Sequence, residues 1–489
     1  MKKYGMVIAV LLALPLCTAV AQSARAEPDR NPERRGIRLL DDDAIRKLST
    51  PRRTPKTFPL DERKSIFVTD VDILKLFTFD ELMERLVRDS GSHTLTKEKL
   101  FQQWWDTANP KATFGLPFGG PNCDSGLLNA FPYTCPRDEG QQVMSNPFGP
   151  ATPATYTAIA LSNRFDLTTP PEKGGTDCGE YRIVFERNSG AKDGLNRNLI
   201  IFEAVLPNPH PYPHSLKGCR PIQDLWEDLS APGLPVATRA KRLHGFYYHG
   251  LPRSGVKPVV LAKHYGSATP NANGQVRTNQ FMSFTTPSST TSHKPWLLRQ
   301  FHIVNDSGSM KFIPVPVATN PPASLFDETI NQSLGSSFRS DFLSQITPLS
   351  NSDIRFIAME TASQDDDGES EEGGPGATVP PPMDFANAFK NSPTLRAAIQ
   401  AKIPSGSTLT PEDIVSRAQT QTCAGCHHIS VNANLGGGLV WPSTLPPTFT
   451  HEQLASPETG PDGPRYQISD ALKNVFLPFR KHVIETFLQ

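Results

Sequence analysis

The sequence predicts an α+β multidomain protein: a β-rich, mainly antiparallel amino-terminal domain with a few helices, followed by a small all-α carboxyl-terminal domain. Three observations point there. Between Thr113 and Glu360, short apolar runs rich in β-branched and aromatic residues alternate with Gly, Pro, Asn and Ser. An acidic and Pro-rich stretch then interrupts the chain over residues 362–383. Beyond it the apolar residues recur with helical spacing. A chain of 489 residues exceeds a single core. Its 47 Pro and 34 Gly favour short elements and turns over a long helical bundle.

Residues 1–26 carry Lys2 and Lys3, an apolar run from Met6 to Leu16, and small residues at Ala19-Val20-Ala21 and Ala24-Arg25-Ala26. This is the pattern of a secretory signal peptide cleaved after Ala21 or Ala26, so a periplasmic or secreted protein is expected. Leu14-Pro15-Leu16-Cys17 is a poor lipoprotein box because of Pro15 and the bulky Leu16, which argues against a lipid anchor at Cys17. No later stretch is apolar and long enough to span a bilayer. Residues 27–56 are charged and Pro-containing and are expected to be a flexible lead-in. The 49 basic and 49 acidic residues cancel. That leaves no basic footprint of the kind nucleic acid requires.

The β-rich domain is expected over residues 57–361. Thr78-Phe79-Asp80-Glu81 is a capping box that opens a helix with Leu82, Leu86 and Val87 on one face and a stop at Gly91. A second helix near residues 97–107 places Leu100, Phe101, Trp104 and Trp105 at core spacing. Strands are expected at Tyr156–Leu161, Tyr181–Glu186, Leu199–Leu206, Val259–Ala262, Phe281–Phe284, Trp296–Val304 and Lys311–Val317. A sandwich is one way to arrange them. Glu186, Glu203, His244, His249, His264, Arg277 and His302 match no metal or catalytic spacing. They read as strand-edge and loop groups held by local hydrogen bonds, and the role of this domain is unassigned.

Cysteine usage agrees with export. Once Cys17 leaves with the signal, six remain. Cys423 and Cys426 belong to a motif described below. Cys123, Cys135, Cys178 and Cys219 make two disulfides in an oxidising compartment. Three pairings are open, and the two local loops, Cys123–Cys135 and Cys178–Cys219, are favoured.

Asp365-Asp366-Asp367-Gly368-Glu369-Ser370-Glu371-Glu372, followed by Gly- and Pro-rich residues, is expected to be an unordered linker within 362–383, since like charges without apolar partners cannot order a core. A calcium loop would want Gly where Ser370 stands and Glu where Gly376 stands.

After the linker, residues 384–489 have the size of one small domain. Phe385 to Lys402 is helical with a break near Ser392-Pro393. Thr410-Pro411-Glu412-Asp413 starts a helix with Thr at the cap, Pro at the first position and acids in the first turn. That helix leads into Cys423-Ala424-Gly425-Cys426-His427. Ser469 to Leu488 closes the chain as an apolar helix with a kink before Pro478. Cys-x-x-Cys-His is the attachment signature of a c-type haem. Two thiols three positions apart on a helical turn can each bond a vinyl group on the porphyrin edge, and the adjacent imidazole then reaches the iron. Chance would produce about 0.002 copies of this pentapeptide from such a composition. A zinc site would want a second Cys or His pair at short spacing, and only the isolated His451 and His482 follow. A thioredoxin-like redox pair would want a strand before the motif, where a helix pattern stands instead.

On these residues, positions 384–489 resemble the c-type cytochrome domain, in which the first and last helices cross beside the haem. The resemblance implies one covalently attached haem c, with Cys423 and Cys426 bonded to the porphyrin and His427 as the proximal iron ligand. The larger amino-terminal region resembles only uncharacterised exported bacterial proteins that end in such a domain, which implies no activity for it. No Met follows Cys426, so a thioether from that side of the motif cannot be the distal ligand. His451, 24 residues beyond His427, is favoured there, with Gly436-Gly437-Gly438 letting the loop approach closely. His482, an upstream group such as Met383, or an open position are the alternatives. His428 stands too near the proximal side and is expected to meet a propionate or solvent. Trp441, Arg465 and Tyr466 are expected as propionate or haem-edge contacts.

The function expected from this reading is one-electron transfer by an exported single-haem cytochrome. The β-rich domain would dock a redox partner protein or a small-molecule electron donor or acceptor. Two imidazoles without a thioether imply a lower potential than a His/Met site. A haem-dependent oxidoreductase or peroxidase-like enzyme is the first alternative, and a single motif excludes the two-haem peroxidase design. An envelope module that binds a ligand or protein, with a sensory or structural haem, is the second.

Overall fold

The computed structural model describes residues 34–35, 56–105, 126–133, 145–212, 214–267, 269, 272–281, 296–306, 309–330, 332–372, 382–445 and 450–489. The signal segment, Cys17, almost all of the lead-in and the Cys123–Cys135 pair lie outside the described residues.

One eight-stranded antiparallel sheet organises the chain, in place of a sandwich. Its strands are β1 (Phe67–Val68), β2 (Tyr156–Arg164), β3 (Asp177–Arg187), β4 (Asn198–Pro207), β5 (Gln275–Phe281), β6 (Trp296–Asp306), β7 (Ser309–Val315) and β8 (Glu369–Glu371). The order is β7-β6-β5-β4-β3-β2-β1, with β8 pairing the first residues of β6 beside β7. At the β2–β3 junction Gly179 has φ +78, and a Cβ there would meet the Arg164 carbonyl oxygen at 2.4 Å. Only glycine lets the chain enter the sheet this closely.

Because strand side chains alternate, the two faces of this sheet carry different chemistry. Ile183, Phe202, Val276 and Phe301 occupy one cross-strand row and are buried in the main core. Helices α1 (Phe79–Ser90), α2 (Lys97–Trp105), α3 (Arg220–Asp228) and α4 (Val236–His249) contribute to that core. Thr78 caps α1 by accepting from Glu81 N–H, and Gly91 ends it in the left-handed conformation, as the sequence predicts. The next row on the other face holds Ser162, Arg182, Glu203 and Gln275. A polar row of this kind explains why β5 is poorly visible in the sequence. Gln275, Arg277 and Asn279 look like a loop, yet they face an interior space. The apolar run Val259–Ala262 forms no strand; it packs as bends beneath α4, where Val260 N–H donates to the Tyr247 carbonyl.

Cys178 and Cys219 form a disulfide with Cα atoms 5.3 Å apart, tying β3 to the start of α3. Among the described residues no helix is long and apolar enough to cross a membrane.

The acidic run is not an unordered linker over residues 362–372: Glu369–Glu371 is strand β8, and Asp365, Asp366 and Ser370 are buried. Its hydrogen-bond and cationic partners come from elsewhere in the chain, such as Arg299, which pairs with Glu369. Residues 373–381 lie outside the described residues. Nor is the carboxyl-terminal region all-α. After α5 (Gln332–Phe342), it contains α6 (Phe385–Phe389), α7 (Pro393–Lys402) and α8 (Pro411–Gln419), then the antiparallel hairpin β9 (Glu452–Gly460) and β10 (Gly463–Ile468), and α9 (Leu477–Leu488). Ile414, Val415 and Ala418 of α8 sit in a second core cluster. Phe479, Val483 and Phe487 of α9 belong to the main core with the sheet. The two regions therefore share one interior.

Candidate cofactor cavity

The motif begins immediately after α8. Thr410 and Asp413 complete a capping box at the start of that helix, which ends at Gln419. A new turn opens where Thr422 Oγ1 donates to the Gln419 carbonyl and accepts from Gly425 N–H. Gly425 to Ile429 is then wound as a π-helix, a form common at functional sites. Gly425 is sterically required, since a Cβ would lie 1.8 Å from the Gln419 carbonyl oxygen.

Strands β6 and β8 hold this turn in place. Ser370 Oγ accepts from Ala424 N–H at 2.9 Å, and Glu372 Oε2 lies 2.6 Å from His428 Nδ1. Glu372 and Trp296 exchange backbone and side-chain bonds: Trp296 N–H donates to Glu372 Oε1 at 2.9 Å and Glu372 N–H to the Trp296 carbonyl at 3.0 Å. The Trp296 indole stacks on His427 with ring centroids 4.8 Å apart. Trp296, Leu298, Val317, Met383 and Ala424 form a small apolar cluster under the turn.

Cys423, Cys426, His427 and His451 converge on one cavity of about 780 Å³, within the range of roughly 300–1,000 Å³ usual for cofactor sites. The two cysteines are free thiols. Burial pushes both thiols up from their ordinary value. His451 Nδ1 lies 2.9 Å from Ser469 Oγ, and Ser469 N–H donates to the His451 carbonyl at 2.8 Å. A metal-binding imidazole is usually oriented in this way through its second nitrogen. Burial, the nearby His427 and Arg480 hold His451 well below the usual imidazole range, so it is neutral, the form that binds metals.

Opposite the motif, the cavity is bounded by the polar face of the sheet, including Arg182, Glu203, Arg277, Gln300 and His302. Of the polar residues that match no template in the sequence, Glu203, Arg277 and His302 are gathered here. Glu186 instead accepts from Leu454 N–H, and His244 contacts Glu81. Trp441 lines the cavity and donates its indole N–H to the Cys426 carbonyl at 3.3 Å. The structure does not bring Arg465 and Tyr466 to this cavity. Arg465 Nε pairs with Glu458 at 2.7 Å, and Tyr466 joins the hairpin to Thr69 through its backbone. Residues that sequence reasoning missed are Trp296, Ser370, Glu372, Ser469 and Arg480. Only Ser469, the residue at which the closing helix is expected to begin, carried a local signal.

Among the described residues no group of three or more His, Cys, Asp or Glu could hold a metal ion alone. A porphyrin supplies four nitrogens itself and asks the protein only for axial ligands and anchoring thiols, which are the groups this cavity offers. One dimension does not yet match. The His427 and His451 rings are 4.5 Å apart, centroid to centroid. Two imidazoles on one iron, with bonds of about 2 Å, need roughly 6 Å. Ligation by both therefore requires His451 to draw back from its contact with Cys426 Sγ, now 3.5 Å away.

Comparison with family models, curated proteins and solved structures returns no match for this chain.

Proposed function

We propose that this protein is an exported single-haem c-type cytochrome that passes one electron at a time to or from a partner. The observation that carries the reading is the convergence of Cys423, Cys426, His427 and His451 on one cavity of cofactor size. Cys423 and Cys426 would anchor the porphyrin and His427 would be the proximal ligand. His451, held by Ser469, would be the distal one. When bound, haem supplies a one-electron iron couple, whose potential is set by axial ligands and burial. Trp296 fixes the plane of His427, while Phe476 and Phe479 help to exclude water from the same space. The Cys178–Cys219 disulfide supports an oxidising compartment and hence the periplasmic or secreted location.

A second reading draws on the opposite wall. Arg182, Glu203, Arg277 and His302 form a polar surface inside the cavity, which is more than electron transfer through a haem edge requires. This favours, as the alternative, an oxidoreductase acting on a small polar molecule in the same space.

One spectroscopic experiment tests both. Protein from a host that matures c-type cytochromes should be coloured, keep its pigment in acidified acetone, and show a reduced spectrum unchanged by carbon monoxide. Colourless protein, or pigment lost to acetone, would end the haem reading. Carbon monoxide binding to the untreated reduced protein would favour the enzyme.

A further inference from the structure

We infer that Arg480 binds a carboxylate inside the cavity, supplied either by a haem propionate or by a free small carboxylic acid; only the first source rests on the haem reading. Arg480 projects from α9 and lines the cavity together with His427 and His451. Its side chain is 7% exposed, and its Nε and Nη1 have no hydrogen-bond partner among the described residues. A guanidinium stays charged in proteins. Burying it without an anion is costly, so an unpaired one beside an open space calls for a ligand of opposite charge.

The neighbouring charges show why the protein itself does not provide that anion. Asp166 is the nearest carboxylate, with Oδ1 3.9 Å from Arg480 Nε. It is already held by Arg164, which donates from Nε to Oδ1 at 3.0 Å and from Nη2 to Oδ2 at 2.8 Å. Arg182 is matched by Glu180 at 2.7 Å and Glu203 at 3.1 Å. Arg277 donates twice to Gln300 Oε1 and lies 3.6 Å from Glu203. Each of these carboxylates is thus already held by another guanidinium: Asp166 by Arg164, Glu180 by Arg182, and Glu203 by Arg182 with Arg277 close by. Glu452 also lines the cavity, but Arg197 and Arg182 act on it more strongly than Arg480 does. The Phe476 ring, 5.7 Å from the Arg480 guanidinium carbon, offers a face and no acceptor for the two N–H groups. A carboxylate matches the planar fork of arginine with two parallel bonds.

The test uses the full-length haem-loaded protein as wild type, Arg480→Met and Arg480→Lys, titrated with sodium acetate. If the anion is a propionate, acetate leaves the wild-type spectrum unchanged, and Arg480→Met lowers the midpoint potential and moves its pH dependence, with Arg480→Lys in between. If the anion is a free carboxylate, acetate shifts the wild-type spectrum saturably, and Arg480→Met weakens that response tenfold or more. Equal potentials and equal acetate responses in wild type and Arg480→Met would overturn the inference. So would a melting temperature that falls in Arg480→Met with no change in either readout, since that marks a structural pair with Asp166. Colourless protein would defeat the haem assignment separately and remove the propionate source. In that case an acetate-dependent rise in melting temperature, present in wild type and lost in Arg480→Met, still supports the inference, and no rise overturns it.

Discussion

Trp296 and His427 lie face to face, with ring centroids 4.8 Å apart and an interplanar angle of 24°. The first belongs to the central sheet and the second to the Cys-x-x-Cys-His turn, so the stack transmits the rigidity of one to the other. Trp296 is fully buried. Trp296→Ala should cost about 3–5 kcal/mol, the usual range for emptying a buried aromatic site. It should also lower the yield of attached pigment per chain. Trp296→Phe keeps a ring on His427 and should lose less of both. Urea unfolding and the ratio of visible to ultraviolet absorbance would measure the two effects. Full pigment attachment in Trp296→Ala would show that the stack does not orient the turn.

Ser469 orients His451 through Nδ1 at 2.9 Å, and its hydroxyl also accepts from Leu472 N–H at 3.1 Å. Ser469→Ala should cost about 0.5–2 kcal/mol as a lost helix cap. It should also make the reduced iron partly reactive to carbon monoxide. His451→Ala should make it fully reactive. An unaltered spectrum in His451→Ala would assign the distal position to another group.

The buried acidic segment should make stability depend on pH. Burial raises Asp366 from 3.8 to about 8, Asp367 from 3.8 to about 7 and Glu371 from 4.5 to about 7. Between the unfolded and folded values the native state holds protons that the unfolded chain has released. Stability therefore falls as pH rises from about 4 to about 8. Asp366→Asn keeps an acceptor oxygen for Asn320 N–H and the Thr361 hydroxyl. Its melting temperature should decline less between pH 5 and pH 8 than that of the wild type. Parallel curves would show that Asp366 does not titrate in this window.

The Cys178–Cys219 bridge spans 41 residues. Closing a loop of that length constrains the unfolded chain by up to about 4 kcal/mol. The double Cys178→Ser, Cys219→Ser variant should melt at a lower temperature, and added reductant should no longer change it. A melting point equal to that of the oxidised wild type would mean that the bridge carries no net stability.

Much of the architecture is visible locally. The Thr78 cap and the Thr410 capping box mark true helix starts because their hydrogen bonds form within four residues. Strands β2, β3, β4 and β6 announce themselves by β-branched and aromatic residues. Strand β5 does not, because one of its faces is polar and turned into a cavity. Strand β8 is hidden for a different reason: Glu369-Ser370-Glu371 has no strand character until Arg299 and the edge of β6 provide partners.

The sequence by itself determined the chemistry concentrated in a few adjacent residues: the Cys423, Cys426 and His427 triplet, the helix ends, and the local cysteine loop from Cys178 to Cys219. Only the tertiary structure decided what stands opposite that triplet. The row Arg182, Glu203 and Gln275, the stack of Trp296 on His427, and the approach of Arg480 to Asp166 each join residues that are distant along the chain. Spacing in one sequence encodes bonds that close within a turn or two. Charge pairing and burial across a sheet depend on register and on which face meets the interior, and those are set by the packing of the whole chain.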